Sequence, residues 1–116
     1  MKGIGVDIIE IERVANACEN LKFLEKIFSQ EEILQKFSNK SLAGNFAVKE
    51  AFVKALGTGF REIYPNQISV LRDEFGKPYI DMNSYVIENL GKVKADKVHV
   101  SISHDKSSAI GFCVIE

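Results

Sequence analysis

Two carboxylates stand in apolar company. Asp7 follows Gly3-Ile4-Gly5-Val6 near the end of a strand-like run, and Glu50 lies inside the most apolar helical stretch of the chain. A carboxylate in such a helix is costly unless it is paired or holds a metal. Were the two to meet, their oxygens would suit magnesium, which prefers an octahedron of oxygens and keeps several waters. Lys54 is one turn beyond Glu50 on the same helical face, and would meet a phosphate as a point charge. A plainer reading stands beside this one. Glu50–Lys54 is then a helix pair on a solvated stripe, contributing little, and Asp7 is a strand-end or helix-capping carboxylate.

Ser101-Ile102-Ser103-His104-Asp105 closes another strand-like run. His104 at its end either binds phosphate, as a ring N–H donor, or is a hydrogen-bonded turn histidine. His99, mid-strand, reads as structural or solvent-facing. Gly3-Ile4-Gly5 lacks the third glycine of a dinucleotide fingerprint, and no Gly-x-x-x-x-Gly-Lys-Ser/Thr phosphate loop occurs. Cys18 and Cys113 are far apart and in apolar settings, which favours buried, reduced thiols over a disulfide or zinc framework.

The elements that position these groups follow from periodicity. Lys2 to Ile9 alternates as a strand, with Ile4, Val6 and Ile8 on one face and Gly3, Gly5, Asp7 and Ile9 on the other. Glycines beside Asp7 leave bare backbone for a close approach. Glu10 to about Phe28 reads as helix with a break at Asn20. Ser29 with Glu32 is a capping box that opens a short helix ending near Phe37. Ser41 to Leu56 is the strongest helix, and Gly57 supplies its stop. Its circumference is mostly apolar, which makes it central and leaves Asn45, Lys49, Glu50 and Lys54 to be explained. Gln67 to Arg72 and Pro78 to Asp81 read as strands about a turn at Glu74-Phe75-Gly76-Lys77. Asn83 to Leu90 reads as a helix stopped by Gly91. Lys97 to Ser103 alternates, and Ser108 to Ile115 is apolar on both faces, so each face needs a cover. Self-association through that last strand is one way to supply it.

The whole is 116 residues, the size of one domain, 1–116, with 46% hydrophobic residues, enough for a core. Fifteen basic and sixteen acidic side chains nearly cancel, so no overall field draws the chain to nucleic acid or anionic lipid. Asp7, Glu10 and Glu12 interrupt the N-terminal stretch, which is no signal peptide, and the longest apolar run is far short of a membrane span. A cytoplasmic protein is the default expectation.

Three segments then fall in register. Gly3-Ile4-Gly5-Val6-Asp7-Ile8-Ile9-Glu10-Ile11-Glu12-Arg13, Phe46-Ala47-Val48-Lys49-Glu50-Ala51-Phe52-Val53-Lys54-Ala55-Leu56-Gly57-Thr58-Gly59 and Ser101-Ile102-Ser103-His104 occur in that order. In spacing and total length the chain resembles the small bacterial 4′-phosphopantetheinyl transferases of the holo-[acyl-carrier-protein] synthase type, and Gly76-Lys77-Pro78 fits a turn of that family. The resemblance implies an α+β fold, a small antiparallel sheet packed with a long central helix. It implies transfer of 4′-phosphopantetheine from coenzyme A to a serine of an acyl carrier protein. It places Mg²⁺ on Asp7 and Glu50, catalysis on Glu50 and Lys54, coenzyme A at Lys54, Gly57 and His104, and carrier-protein docking at Arg13; Lys22 and Lys26 on the same helical region either join that patch or form a solvated face. It implies a homotrimer with active sites between subunits, which would cover the last strand. At position 45 the family usually has an arginine that helps hold coenzyme A; here it is Asn45, which removes a charged phosphate contact and leaves either weaker nucleotide affinity or compensation by Lys40, Lys49 or Arg61. A metal-dependent nucleotide hydrolase and a non-catalytic coenzyme A-binding module are the alternatives the carboxylates alone leave open.

Overall fold

A computed structural model describes all 116 residues. In chain order the elements are β1 (Gly3–Glu10), α1 (Ile11–Ala17), α2 (Leu21–Ile27), α3 (Gln30–Leu34), α4 (Asn39–Leu56), β2 (Val70–Arg72), β3 (Pro78–Ile80), α5 (Ser84–Lys92), β4 (Val98–His104) and β5 (Ser108–Ile115). Two 3₁₀ turns, Gly59–Arg61 and Pro65–Gln67, join α4 to β2.

Most helix ends are written in local chemistry. Asn20 breaks the first helical run as expected, because its side chain accepts from the amides of Lys22 and Phe23 and so starts α2. Ser29 and Glu32 form the capping box of α3 in both directions. α4 starts slightly earlier than the sequence suggests, since Ser38 caps it through the amide of Ser41. It ends at Gly57, whose φ of 80° is the left-handed conformation of a helix stop.

Three expectations fail for local reasons. α3 stops at Leu34, short of Phe37, with Lys36 left-handed at φ 52°. Residues 67–69 are not strand: the Gln67 side chain accepts from the Tyr64 amide at 2.9 Å, which winds the chain into the 3₁₀ turn begun at Pro65. Gly91 does not stop α5, which runs on to Lys92; the left-handed residue there is Lys94, at φ 58°.

β1, β5 and β4 form an antiparallel sheet in that order, and β2 pairs with β3 in a separate ribbon. Helix α4 lies across all three strands of the sheet, which is the architecture the resemblance implies. The strands make room for it with small residues. A Cβ on Gly111 would lie 2.4 Å from the backbone of Ala47 and Val48, so no other residue fits that crossing. Around the crossing, Val48, Phe52, Val53, Ile68, Val70, Val86, Leu90, Cys113 and Ile115 make the main core. Cys113 is buried there as a free thiol and Cys18 is half-buried, also free.

The opposite face of the sheet has no cover within the chain. Ile4, Val6 and Ile8 are 56%, 54% and 63% exposed, whereas the Gly3–Gly5–Asp7 face meets α4. In register beside them are Val114, Phe112 and Ile110 of β5. Phe112 and Ile110 are 38% and 39% exposed. The doubly apolar last strand thus has one face under α4 and the other open.

Candidate functional site

Strand alternation turns Asp7 toward the same side as Gly3 and Gly5, where α4 lies on β1. Lys54 reaches from α4 to β1: its Nζ donates to Asp7 Oδ1 at 2.9 Å and to the Val6 carbonyl at 3.0 Å. The carboxylate partner of Lys54 is therefore Asp7, and the simple Glu50–Lys54 helix pair is not formed. Glu50 stands near enough to feel both. Burial first, then the negative charge of Asp7, pushes its carboxyl above the ordinary range, while Lys54 opposes the shift.

Asp7 and Glu50 share the wall of a cleft of about 760 Å³, together with Glu10, Arg13, Phe46 and Ser108. That volume holds a small organic molecule. The cleft lies where β1 passes into α1, so one side is sheet edge and α4, the other the inner side of α1 and α2. Nothing in the sequence singled out Ser108 or Phe46 as cleft wall. Ser108 arrives through the β1–β5 register, where it faces Glu10.

The other expected site residues are more scattered. Arg13 lines the cleft and is exposed, as a docking group must be. Lys22 and Lys26 are exposed on α2. Gly57 is exposed at the far end of α4 from Phe46. His104 ends β4, paired in register with Ala109 and next to the turn through Asp105, and is exposed outside the cleft. His99 is solvent-facing, its Nε2 2.5 Å from Glu116 Oε1.

At position 45 the structure removes one of the candidate compensating cations. Asn45 is wholly buried, and its Nδ2 donates to Glu32 Oε2 at 3.0 Å and to the Val70 carbonyl at 2.9 Å. Lys49 is equally buried and cannot compensate at a nucleotide. Its ammonium donates to Glu32 and to the carbonyls of Ile27 and Pro65, over the ring of Phe28. Burial pulls it down to about 8, with Glu32 holding it up. Asn45, Lys49 and Glu32 thus form a polar knot tying α3, β2 and the α2–α3 turn to α4. Lys40 and Arg61 remain on the surface.

A fit for a divalent ion can be judged from these donors. No group of three or more His, Cys, Asp or Glu side chains gathers in the chain as a ready-made cage. Magnesium does not need one: it is commonly held by one or two carboxylates, with water and substrate phosphate completing the octahedron. Asp7 and Glu50 offer that set, and the mutual repulsion that raises Glu50 is what a cation would relieve.

The geometry agrees with what the chain is similar to. The family model described as the 4′-phosphopantetheinyl transferase superfamily matches residues 3–113. The holo-[acyl-carrier-protein] synthase of Clostridium tetani is 45% identical over 119 residues, covering 98% of this chain and 94% of its own. That of Clostridium acetobutylicum is 45% identical, covering 100% and 98%. Among solved structures, the holo-[acyl-carrier-protein] synthase of Neisseria meningitidis superposes with a TM-score of 0.90 at 30% identity, covering 100% of this chain and 98% of its own. The Helicobacter pylori enzyme, solved in complex with coenzyme A, gives a TM-score of 0.85 at 33% identity, covering 97% and 99%.

Proposed function

Because this chain belongs to the 4′-phosphopantetheinyl transferase superfamily, we infer that it is a holo-[acyl-carrier-protein] synthase, with residues 1–116 as its single transferase domain. It moves the 4′-phosphopantetheine arm of coenzyme A onto a serine of an apo acyl carrier protein. The observation that carries this reading is the convergence of Asp7 and Glu50 on one cleft, with Lys54 bonded to Asp7, from segments more than forty residues apart in sequence.

In the reaction the serine Oγ bonds to the β-phosphorus of coenzyme A. The bond from that phosphorus to the bridging oxygen breaks, and 3′,5′-adenosine bisphosphate leaves with the electron pair. Asp7 and Glu50 are the residues that would hold Mg²⁺, which when bound supplies positive charge to the diphosphate. Lys54 adds a second positive centre where negative charge grows. The serine proton would pass to Glu50 through an intervening water. Gly57 and His104 extend the coenzyme A surface beyond the cleft. Arg13 faces the approaching acidic carrier protein, with Lys22 and Lys26 beyond it.

The uncovered faces of β1 and β5 support a homotrimer, in which each subunit's cleft borders a neighbour. Position 45 makes no phosphate contact in this reading. We place the enzyme in the cytoplasm, where its two free thiols stay reduced.

Incubation with coenzyme A, Mg²⁺ and an apo acyl carrier protein, followed by mass spectrometry of the carrier, tests the assignment. Addition of one phosphopantetheine is expected. Coenzyme A cleaved with no carrier present would instead indicate a nucleotide hydrolase, and binding without turnover a non-catalytic module. Asp7→Ala and Glu50→Ala should each lower turnover on the order of a hundredfold or more; near-normal rates in either would remove that carboxylate from the site.

A further inference from the structure

Lys54 has two acceptors on β1, and one of them is a carboxylate a metal would use. Its ammonium sits 2.9 Å from Asp7 Oδ1 and 3.0 Å from the Val6 carbonyl. The Asp7 side chain is 18% exposed, so this pair lies largely out of bulk water on the carboxylate side. The Lys54 charge also offsets part of the repulsion between Asp7 and Glu50. The lysine thus already does for the acidic cleft what a divalent ion would do.

We propose that Lys54 is a resident counter-ion that must leave Asp7 for a divalent cation to bind, and that an incoming phosphate gives it a new partner. The proposal rests on the reading of Asp7 and Glu50 as metal ligands. An ammonium and a divalent cation on one carboxylate repel strongly at contact distance in a medium less polar than water. A cation arriving alone therefore displaces the lysine and leaves it without a counter-charge. A diphosphate arriving with the cation accepts the released ammonium. Part of the coupling between metal and coenzyme A then runs through this one side chain, and it is reciprocal by linkage. Half of the Lys54 side chain is in solvent, so its swing from Asp7 to a ligand needs no rearrangement of the core.

The test uses Mn²⁺ as the metal probe, with free ion followed by electron paramagnetic resonance, in the wild-type chain and in Lys54→Gln. Both proteins are measured without and with coenzyme A, after thermal melts show that the variant is folded. In the absence of coenzyme A the variant should bind Mn²⁺ on the order of tenfold more tightly, within the usual span of coupling factors. The enhancement by coenzyme A should shrink by a similar factor. A second readout is the side-chain ¹⁵N signal of Lys54, which should report a hydrogen-bonded ammonium without metal and a freed one on adding Mg²⁺ alone. Equal Mn²⁺ affinity of the two proteins without coenzyme A overturns the proposal, since the metal would then share Asp7 through its other oxygen and leave the lysine in place. Failure of both proteins to bind Mn²⁺ under any condition, with ordinary coenzyme A binding, instead removes the metal reading itself.

Discussion

Gly5 lies against the Ala51 carbonyl so closely that a Cβ on the glycine would come within 1.9 Å of the oxygen. This contact sets the distance between β1 and α4, and Asp7 and Glu50 flank it, two residues after one partner and one before the other. Gly5→Ala must therefore lift the helix from the strand. Backbone cannot step aside as a side chain can, and the loss should be on the order of 3 kcal/mol. Denaturant melts should show the lowered midpoint. Turnover at a temperature where the variant is still folded should fall as well, because the two carboxylates separate. A variant with wild-type stability would mean that the contact is not made.

The Glu32–Lys49 pair gives a second test. Both side chains are fully buried, and Asn45 donates to the same carboxylate. Removing one partner, in Lys49→Met or Glu32→Leu, strands a buried charge and should cost about 3–5 kcal/mol. Removing both, in Glu32→Leu/Lys49→Met, should recover much of that loss, since an apolar replacement of a buried pair is often close to neutral. A double variant as unstable as the worse single one would argue that the hydrogen bonds to Ile27, Pro65 and Val70 carry the region instead.

How far the sequence led follows from where its signals come from. β1, α4, β4 and β5 were legible because strand alternation, a strong helix run and Gly57 are local. The register of Asp7 with Glu50 came from motif resemblance, since nothing local couples positions 7 and 50. The Asn45–Glu32–Lys49 knot was not legible. It joins a surface-looking capping glutamate to a lysine seventeen residues on, and only the packing of α3 on α4 reveals that both are inside. For the same reason the sequence leaves open whether Lys49 stands in for the arginine usual at position 45, whereas the fold buries both Asn45 and Lys49 against Glu32. The open face of β1 was half legible: the glycines beside Asp7 mark the face of close approach, and the fold shows that α4 is what approaches, leaving Ile4, Val6 and Ile8 bare.

Glu50 links stability and activity in opposite senses. Its carboxyl is raised in the folded chain, so its contribution is fully present below the ordinary carboxyl value and is lost as pH rises through the folded value. Its ionised form stands beside Asp7 in a half-buried setting, which is what raises it. Glu50→Gln should raise the melting temperature of the metal-free protein at pH 7 and lower turnover by roughly a hundredfold or more. The gain should vanish in acid, where the wild-type carboxyl is itself protonated. Wild-type metal affinity should fall, as pH is lowered, earlier than an ordinary carboxylate would cause. A Glu50→Gln melt that is lower at neutral pH, or equal across the range, would contradict this.

The bare face of the sheet makes a prediction about mass. Val6 faces Phe112 in the β1–β5 register, and both are partly exposed in the single chain. Burying such a surface between subunits is favourable in proportion to its apolar area. The wild-type protein should sediment as a trimer of the 13.0 kDa chain, and Val6→Asp/Phe112→Asp should release folded monomer. Circular dichroism of the variant should stay close to wild type, because neither side chain touches the core under α4. A wild-type protein that sediments as monomer at micromolar concentration would leave the face unexplained by self-association.

Arg13 tests the docking side of the cleft. It is exposed at the cleft mouth on α1, with Lys22 and Lys26 exposed on α2, so its charge is free to meet an acidic partner. Exposed charges act mainly on encounter, and salt screens them over about 8–10 Å at ordinary ionic strength. Arg13→Glu should therefore lower kcat/KM for the carrier protein by roughly tenfold or more at low salt, within the range of electrostatic steering. The deficit should narrow as salt is raised. The affinity for coenzyme A, measured without carrier, should change much less, because Asp7, Glu50 and Lys54 stay in place. A deficit that is the same at low and high salt would locate the role of Arg13 in the chemistry of the cleft and not in the approach of the carrier.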